Sequence, residues 1–335
     1  MPSHLELPPV ILGGDPFNMF RFLYRRDLLW RLFDEEYCLS VMRAACEAGC
    51  RAYDLSFEEN TRLFRRLLEE VDEPLLGFGN PTWEQGVMLN GRYLQYSRDR
   101  ILRTLVDRLF PRRLARLVEE TLSHEAVLIF GYDRDAPPLT DAEIASIALD
   151  EGAFRRRLRI FDDCQYILLG GSDADWLISL GRLDVVADLA RIVRAEGFVP
   201  IMLCHYASHV VPLAEAGGLD VDGYAVPLNR EWSWFSRDET VEVVKGIGKP
   251  VIAFMPLASG GLRQDVRGAI HWLFAEVGVD AILFGTATAA HARETVRLAQ
   301  EVHAAARFGQ LVSSHCEARS AACPERSRGE AISCV

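Results

Sequence analysis

The stretch Lys249-Pro250-Val251-Ile252-Ala253-Phe254-Met255-Pro256-Leu257-Ala258-Ser259-Gly260-Gly261-Leu262 constrains the fold most. Its first half is a continuous apolar run, the pattern of a strand covered on both faces. Its second half is a loop of small residues, where glycine lets the backbone approach another group closely. A second apolar run, Asp280-Ala281-Ile282-Leu283-Phe284-Gly285-Thr286, ends in the same way and leads into a helical pattern carrying Arg293-Glu294-Thr295. Two strands that each open into a tight loop and a helix read as consecutive βα units, the building blocks of a parallel sheet.

The alternation extends toward the N-terminus. Core strands are expected at residues 10–13, 51–55, 74–79, 164–170, 198–204, 222–227, 250–255 and 280–284. Between them, residues 36–48 carry Leu39, Met42 and Cys46 at helical spacing, and residues 184–196 carry Val185, Leu189, Ile192 and Val193. Ser236 and Glu239 have the spacing of a capping box at the start of a helix over 237–245. Eight such strands favour one closed (β/α)8 TIM barrel over residues 1–312.

Residues 80–163 interrupt the rhythm. They are expected to form an inserted helical subdomain, with arginine-rich helices around 101–122, an extra strand at 126–131, a loop at 133–140 and a helix at 141–149. Because the insertion follows the C-terminal end of a strand, it would lie over the barrel mouth. It would be either a lid that selects substrate or a structural addition. Residues 313–335 are rich in Ser, Ala, Arg and Glu without apolar periodicity, and are expected to be a disordered tail.

Net charge is −11, which argues against nucleic acid or an anionic membrane as partner. No apolar run approaches the ~20 residues that span a bilayer. The N-terminal residues lack a basic segment followed by an apolar one, and the eight cysteines include no Cys-x-x-Cys. A cytoplasmic protein with reduced thiols and a small-molecule ligand is therefore expected.

In a barrel of this type, chemistry sits where strands end. That rule selects Asp15, Asp54, Asn80, Ser172, Asp173, Asp175, Cys204, His205, Asn229 and Arg230. His205 is the strongest acid–base candidate. Asp15, Asn80, Asp173, Asn229, Trp232 and Trp234 are expected to line a substrate pocket, the tryptophans either walling it or packing on the insertion. Cys204 reads as a buried, inert thiol. His205 and His209 with Asp54 or Asp173 give only weak metal-ligand spacing, and no metal is expected.

Several of these motifs resemble the aldo/keto reductase family. They are Leu12-Gly13-Gly14-Asp15-Pro16-Phe17, Ala48-Gly49-Cys50-Arg51-Ala52-Tyr53-Asp54, the loop from Pro256 to Leu262, and Gly285-Thr286 with Arg293-Glu294. The resemblance implies NADP(H) and carbonyl reduction, with an Asp and a Lys tuning a proton-donating Tyr and a His orienting the substrate. Asp54 matches the Asp. The Tyr position holds Glu59, the Lys position falls at Gly79 or Asn80, and the His position at Leu169 or Gly170. Glu59 would serve as a proton donor only if burial raised its proton affinity.

On the cofactor side the resemblance implies Pro256, Leu257, Ser259, Gly260 and Leu262 at the diphosphate, and Gly285, Thr286, His291, Arg293 and Glu294 at the adenosine phosphate. His291 stands where the family carries an arginine, and Leu228 where it stacks an aromatic on the nicotinamide. Three readings follow. The first is a divergent NADP(H)-linked oxidoreductase for a small carbonyl or sugar-like substrate. The others are a redox-inactive nucleotide- or ligand-binding barrel, and a lyase, isomerase or metal-assisted hydrolase using Asp54 and His205.

Overall fold

The computed structural model describes residues 7–18, 29–81, 84–109, 133 and 135–321. Eight parallel strands close into a barrel in chain order. Strand one is Val10–Leu12, strand two Ala52–Leu55, strand three Leu76–Gly79 and strand four Tyr166–Gly170. Strand five is Val199–Leu203, strand six Gly223–Pro227, strand seven Val251–Phe254 and strand eight Ala281–Phe284. Each lies within a segment read as strand from its apolar run. Strand eight closes on strand one with Val10 opposite Ile282 and Leu12 opposite Phe284.

Side chains alternate across each strand. One set faces inward and fills the lumen: Ile11, Ala52, Phe78, Leu168, Leu203, Ala225, Ile252 and Ala281 all belong to one buried cluster. Lower in the lumen, Phe78 and Tyr166 stack with ring centroids 4.4 Å apart. The outward set, including Leu12, Tyr53, Leu55, Ile167 and Met202, packs against the helices as a second, larger core. The lumen is thus a packed core rather than a pore, open to chemistry only at its rim.

The long insertion leaves the barrel closed. Strand three pairs directly with strand four, Phe78 opposite Tyr166 and Gly79 opposite Ile167. Beyond the helices and the one extra strand expected, the insertion contains a three-stranded antiparallel sheet, with Val87–Leu89 between Arg92–Tyr93 and Ala148–Leu149. Asn90 and Gly91 turn its hairpin with φ of 52° and 75°. Asn-Gly accepts that left-handed pair at low cost. The expected helix over 141–149 stops at Ser146, and Ala148–Leu149 is strand instead. Thr140 caps that helix through a reciprocal box with Glu143, and a second insertion helix covers Glu151–Leu158. The extra strand expected at 126–131 lies outside the described residues.

At the other end, the helix that begins at Ala289 continues to Ala321. It overruns the boundary at Ser313 where an unfolded tail was expected. Extending an existing helix avoids a new nucleation step, and Ala, Arg and Glu are good helix formers. No helix among the described residues is long and apolar enough to cross a membrane.

Candidate active site

Carrying the inward alternation one step past the last lumen residue of each strand places Gly13, Asp54, Asn80, Gly170, His205, Pro227, Phe254 and Leu283 around the rim. Asp54 and His205 are the members whose side chains can exchange protons, and Asn80 donates a hydrogen bond to Asp54. Phe254 walls the opening.

Asp54 is 5% exposed at the end of strand two. Its Oδ2 accepts the Gly14 N–H at 3.2 Å, and its Oδ1 accepts the Asn80 side-chain amide at 3.3 Å. Gly14 must be glycine, because a Cβ there would lie 2.4 Å from the Asp54 carbonyl oxygen. Burial, with Asp15 nearby as a second negative charge, pushes the Asp54 carboxyl up to about 7. Asp15 is also raised by its crowded surroundings. Asp15 is nevertheless exposed as a residue, which limits how far its proton affinity can rise.

Glu59, placed at the family's tyrosine position, lies half-buried in the first turn of the Glu58–Glu70 helix. Its neighbour Asn60 makes the structural contacts to strand one's loop. Asn60 is 2% exposed, donates to the Gly14 carbonyl at 2.9 Å and accepts from Asn18 at 3.2 Å.

At Gly79, one of the two residues read at the family's lysine position, a Cβ would lie 2.7 Å from the ring of Phe161, contributed by the insertion. Asn80 keeps its tie to Asp54, while its buried amide oxygen has no hydrogen-bond partner among the described residues.

His205 is the centre of the opposite side. Asp175, fully buried in the Ser172–Ser179 helix after strand four, accepts the backbone N–H groups of His205 and Tyr206 at 2.9–3.0 Å. The same carboxylate lies 2.9 Å from His205 Nδ1. That contact assigns the proton on the ring to Nδ1 and leaves Nε2 to accept or deliver another. Trp234 and Phe254 meet the imidazole edge-on at centroid distances of 4.9 and 5.8 Å. A quarter of the side chain is open to solvent. Sequence reasoning placed His205 at the mouth but did not join it to Asp175.

Asp173 is fully buried, and its Oδ2 accepts from Gln95 at 3.1 Å and Gln85 at 3.4 Å. Burial dominates and pushes its carboxyl up to about 8. Gln85 also pairs in both directions with the Gly170 backbone, donating at 2.7 Å and accepting at 2.8 Å. Asp173, expected in the pocket, is instead the socket that holds the insertion on strand four. Neither glutamine figured in the sequence reading.

Asn229 was also expected to line the pocket, but is fully buried. Its carboxamide accepts the N–H groups of Glu231 and Trp232 and donates to the Met255 carbonyl. It shapes the loop after strand six. Trp232 packs with Leu257 on the cluster of Ala258 and Leu262, so that tryptophan braces the strand-seven loop rather than the insertion. Leu228 is fully buried. Cys204 is likewise enclosed, and burial raises its thiol well above the ordinary value.

The strand-seven loop departs from the expected phosphate cradle. Ala258 and Ser259 have φ of 51° and 53°, and Met255 has 57°. These left-handed values turn the chain so that the N–H groups of Ala258, Gly260, Gly261 and Leu262 bond to carbonyls within the loop, at 2.9–3.2 Å. A carboxylate oxygen of Glu231 sits where a Cβ on Gly261 would come within 3.0 Å of it. Pro256 is buried and Leu257 half-buried.

Beside this loop, an open groove of about 730 Å³ is lined by Arg263, Arg267, Arg293 and Arg297 with Glu294 and Glu301. Arg267 pairs with Glu301 at 3.0 Å, and Arg293 with Glu47 at 2.9 Å. Arg263 bonds only to the Gly260 carbonyl among the described residues. His291 is exposed near the start of the Ala289–Ala321 helix, its N–H accepted by Thr288. Gly285 is exposed and Thr286 buried. Among the described residues, no group of three or more His, Cys, Asp or Glu side chains is arranged to hold a metal ion.

No protein-family model matches the chain, and no curated protein matches it. Among solved structures it is similar to a protein assigned as an aldo-keto reductase from Pseudomonas aeruginosa. The identity is 16% and the TM-score 0.49, over 88% of this chain and 90% of the other. It is similar to the holo form of an aldo-keto reductase from Bacillus halodurans at 12% identity and TM-score 0.48, over 86% and 85% of the two chains. A thermostable aldo-keto reductase in complex with the inhibitor epalrestat matches at 12% identity and TM-score 0.49, over 89% and 95%.

Proposed function

We propose that the chain is a divergent oxidoreductase of aldo/keto-reductase-like kind, acting on a small carbonyl or sugar-like substrate at the barrel mouth. The observation that carries this reading is the Asp175–His205 pair. A buried carboxylate holds one ring nitrogen of an imidazole whose side chain stays partly open to solvent. In the reductive direction, His205 Nε2 gives a proton to the substrate oxygen. Asp175 stabilises and orients the ring, and the walls of Trp234 and Phe254 keep the carbonyl against it. Such a pair would take over the work of the missing tyrosine and lysine.

The groove arginines fit the phosphate-bearing end of NADP(H), which when bound would supply the hydride. Arg263 and Arg297 are the natural anchors, with Arg267 and Arg293 free to exchange their exposed carboxylate partners for phosphate. The closed strand-seven loop does not offer its N–H groups, so the diphosphate would be held from the groove side. Fluorescence titration with NADPH tests this reading. Binding below millimolar, lost on Arg297→Glu, supports it; no binding up to millimolar overturns it.

A redox-silent ligand-binding barrel is the second reading, favoured by the self-bonded loop and by Glu231 beside it. It requires binding without turnover over a carbonyl panel, unchanged in His205→Gln.

A further inference from the structure

We infer that the adenine base of NADP(H) lies in a second cavity between the Val266–His271 and Ala289–Ala321 helices, where Glu301 accepts a hydrogen bond from its amino group. The inference rests on the NADP(H) reading above and gives the base a place that the reading leaves open.

Two cavities adjoin along these helices. The arginine groove of about 730 Å³ shares Asp265, Arg267 and Glu301 with a cavity of about 370 Å³. Both volumes fall in the range of small-molecule sites. Their remaining walls differ. Arg263, Arg293 and Arg297 line only the larger, whereas Gly268, His271, Val302 and Ala305 line only the smaller. The sequence lays out this order. Arg293, Arg297, Glu301 and Ala305 recur every four residues and so share one stripe of their helix. Arg267 and His271 have the same spacing on the neighbouring helix. The site thus runs from cations, through one acceptor, to small and apolar surface. A 2′-phosphorylated adenosine carries its groups in that order, phosphate, sugar and base. Arg297 and Glu301 stand about 6 Å apart along the helix axis, which leaves room for the one sugar between.

The boundary between the cavities is an ion pair that opens readily. Arg267 and Glu301 meet at 3.0 Å, with side chains 60% and 64% exposed. A pair so open to water contributes little. Once Arg267 turns to a phosphate, Glu301 keeps acceptor oxygens at the edge of the smaller cavity. An ionised carboxylate accepts and never donates. It therefore takes the 6-amino group of adenine and opposes a carbonyl in the same place. Asp265 is already engaged, with one oxygen accepting the Gly268 N–H at 3.0 Å and the other paired with Arg230 at 2.8 Å. His271 offers an aromatic ring to the base from the opposite helix.

The test uses the full chain and isothermal calorimetry at low ionic strength. The probes are NADPH and its hypoxanthine analogue, which has a carbonyl where adenine has the amino group. The wild type should bind NADPH ~10-fold more tightly than the analogue. Glu301→Gln should reduce that preference to about two-fold or less, because a carboxamide both donates and accepts. Ala305→Trp should fill the smaller cavity and weaken NADPH binding by ~10-fold. Ala305 is exposed, so the larger side chain leaves the core untouched, and circular dichroism checks the fold of both variants. Equal affinity of the wild type for the two nucleotides overturns the inference, as does NADPH binding that ignores Ala305→Trp. If Arg297→Glu still abolishes binding in those cases, the redox reading stands alone. No NADPH binding up to millimolar overturns both. Binding that depends on Glu301 and Ala305, without NADPH oxidation over a carbonyl panel, supports the inference and counts against the redox reading.

Discussion

Strands two to five and strands seven to eight furnish the barrel rim with different kinds of polar group. On the first side, Asp54, Asp173 and Asp175 are buried, and each is bonded to a specific amide, imidazole or backbone donor. On the second, the arginines of the groove are largely open to water, and Arg267 and Arg293 hold partners that are themselves well exposed. Buried, directional bonds fix where a proton goes, whereas exposed charges attract an anion without dictating its geometry. Under the proposed function, the contrast would separate two tasks, positioned proton transfer and adaptable anion capture.

The most severe way to break the comparison is at His205. His205→Gln should lower turnover by ~10²–10⁴-fold with little change in melting temperature, read by steady-state kinetics and calorimetry. Asp175→Asn should lower kcat by a similar factor while leaving KM in place, because it disturbs the ring's proton rather than the substrate. An unchanged kcat in both would reduce the pair to a structural contact.

The next largest effect is on stability. Asp54 and Asp173 have carboxyls raised to about 7 and about 8, against ~3.9 for an unfolded Asp. The folded state therefore binds more protons between those values. Their contribution is complete below about pH 4 and is lost as pH rises through about 7 for Asp54 and about 8 for Asp173. Melting temperature should fall across that window by ~5 °C or more, and Asp173→Asn should flatten the upper part of the fall. A flat wild-type profile between pH 5 and 8 would mean that both carboxyls are better solvated than their burial implies.

On the opposite side of the rim, effects should be smaller and sensitive to salt. Arg297→Ala should weaken NADPH binding by ~10-fold at low ionic strength and less at ~0.5 M salt, measured by titration. The smallest expected change sharpens the picture of the loop itself. Ala258→Gly should raise stability by roughly 0.5–1 kcal/mol in urea denaturation, because glycine adopts the left-handed conformation without crowding its Cβ.

The barrel was legible because strands covered on both faces leave continuous apolar runs, and all eight runs became strands. The insertion's small sheet was not, although Leu89-Asn90-Gly91-Arg92 carries a hairpin signal. Its strands are two or three residues long and show no alternation to detect. His205 was legible from its place at a strand end. Its partnership with Asp175 arises only when the helix after strand four meets the residues just past strand five. The strand-seven loop shows the converse limit. Small residues announce that the backbone can come close to something, but the sign of φ at Met255, Ala258 and Ser259 decides whether its N–H groups point outward or back into the loop.

The end of strand three bears on how such a barrel can change over time. Phe161 fills the space that a side chain at Gly79 would need, and Ile167 crowds it from the other side at 2.8 Å. A larger side chain placed there by a single substitution would force the insertion off the sheet. The order of events is therefore constrained: the inserted segment would have to retreat first. Gly79 thus sets the order in which a laboratory redesign of this edge would have to proceed.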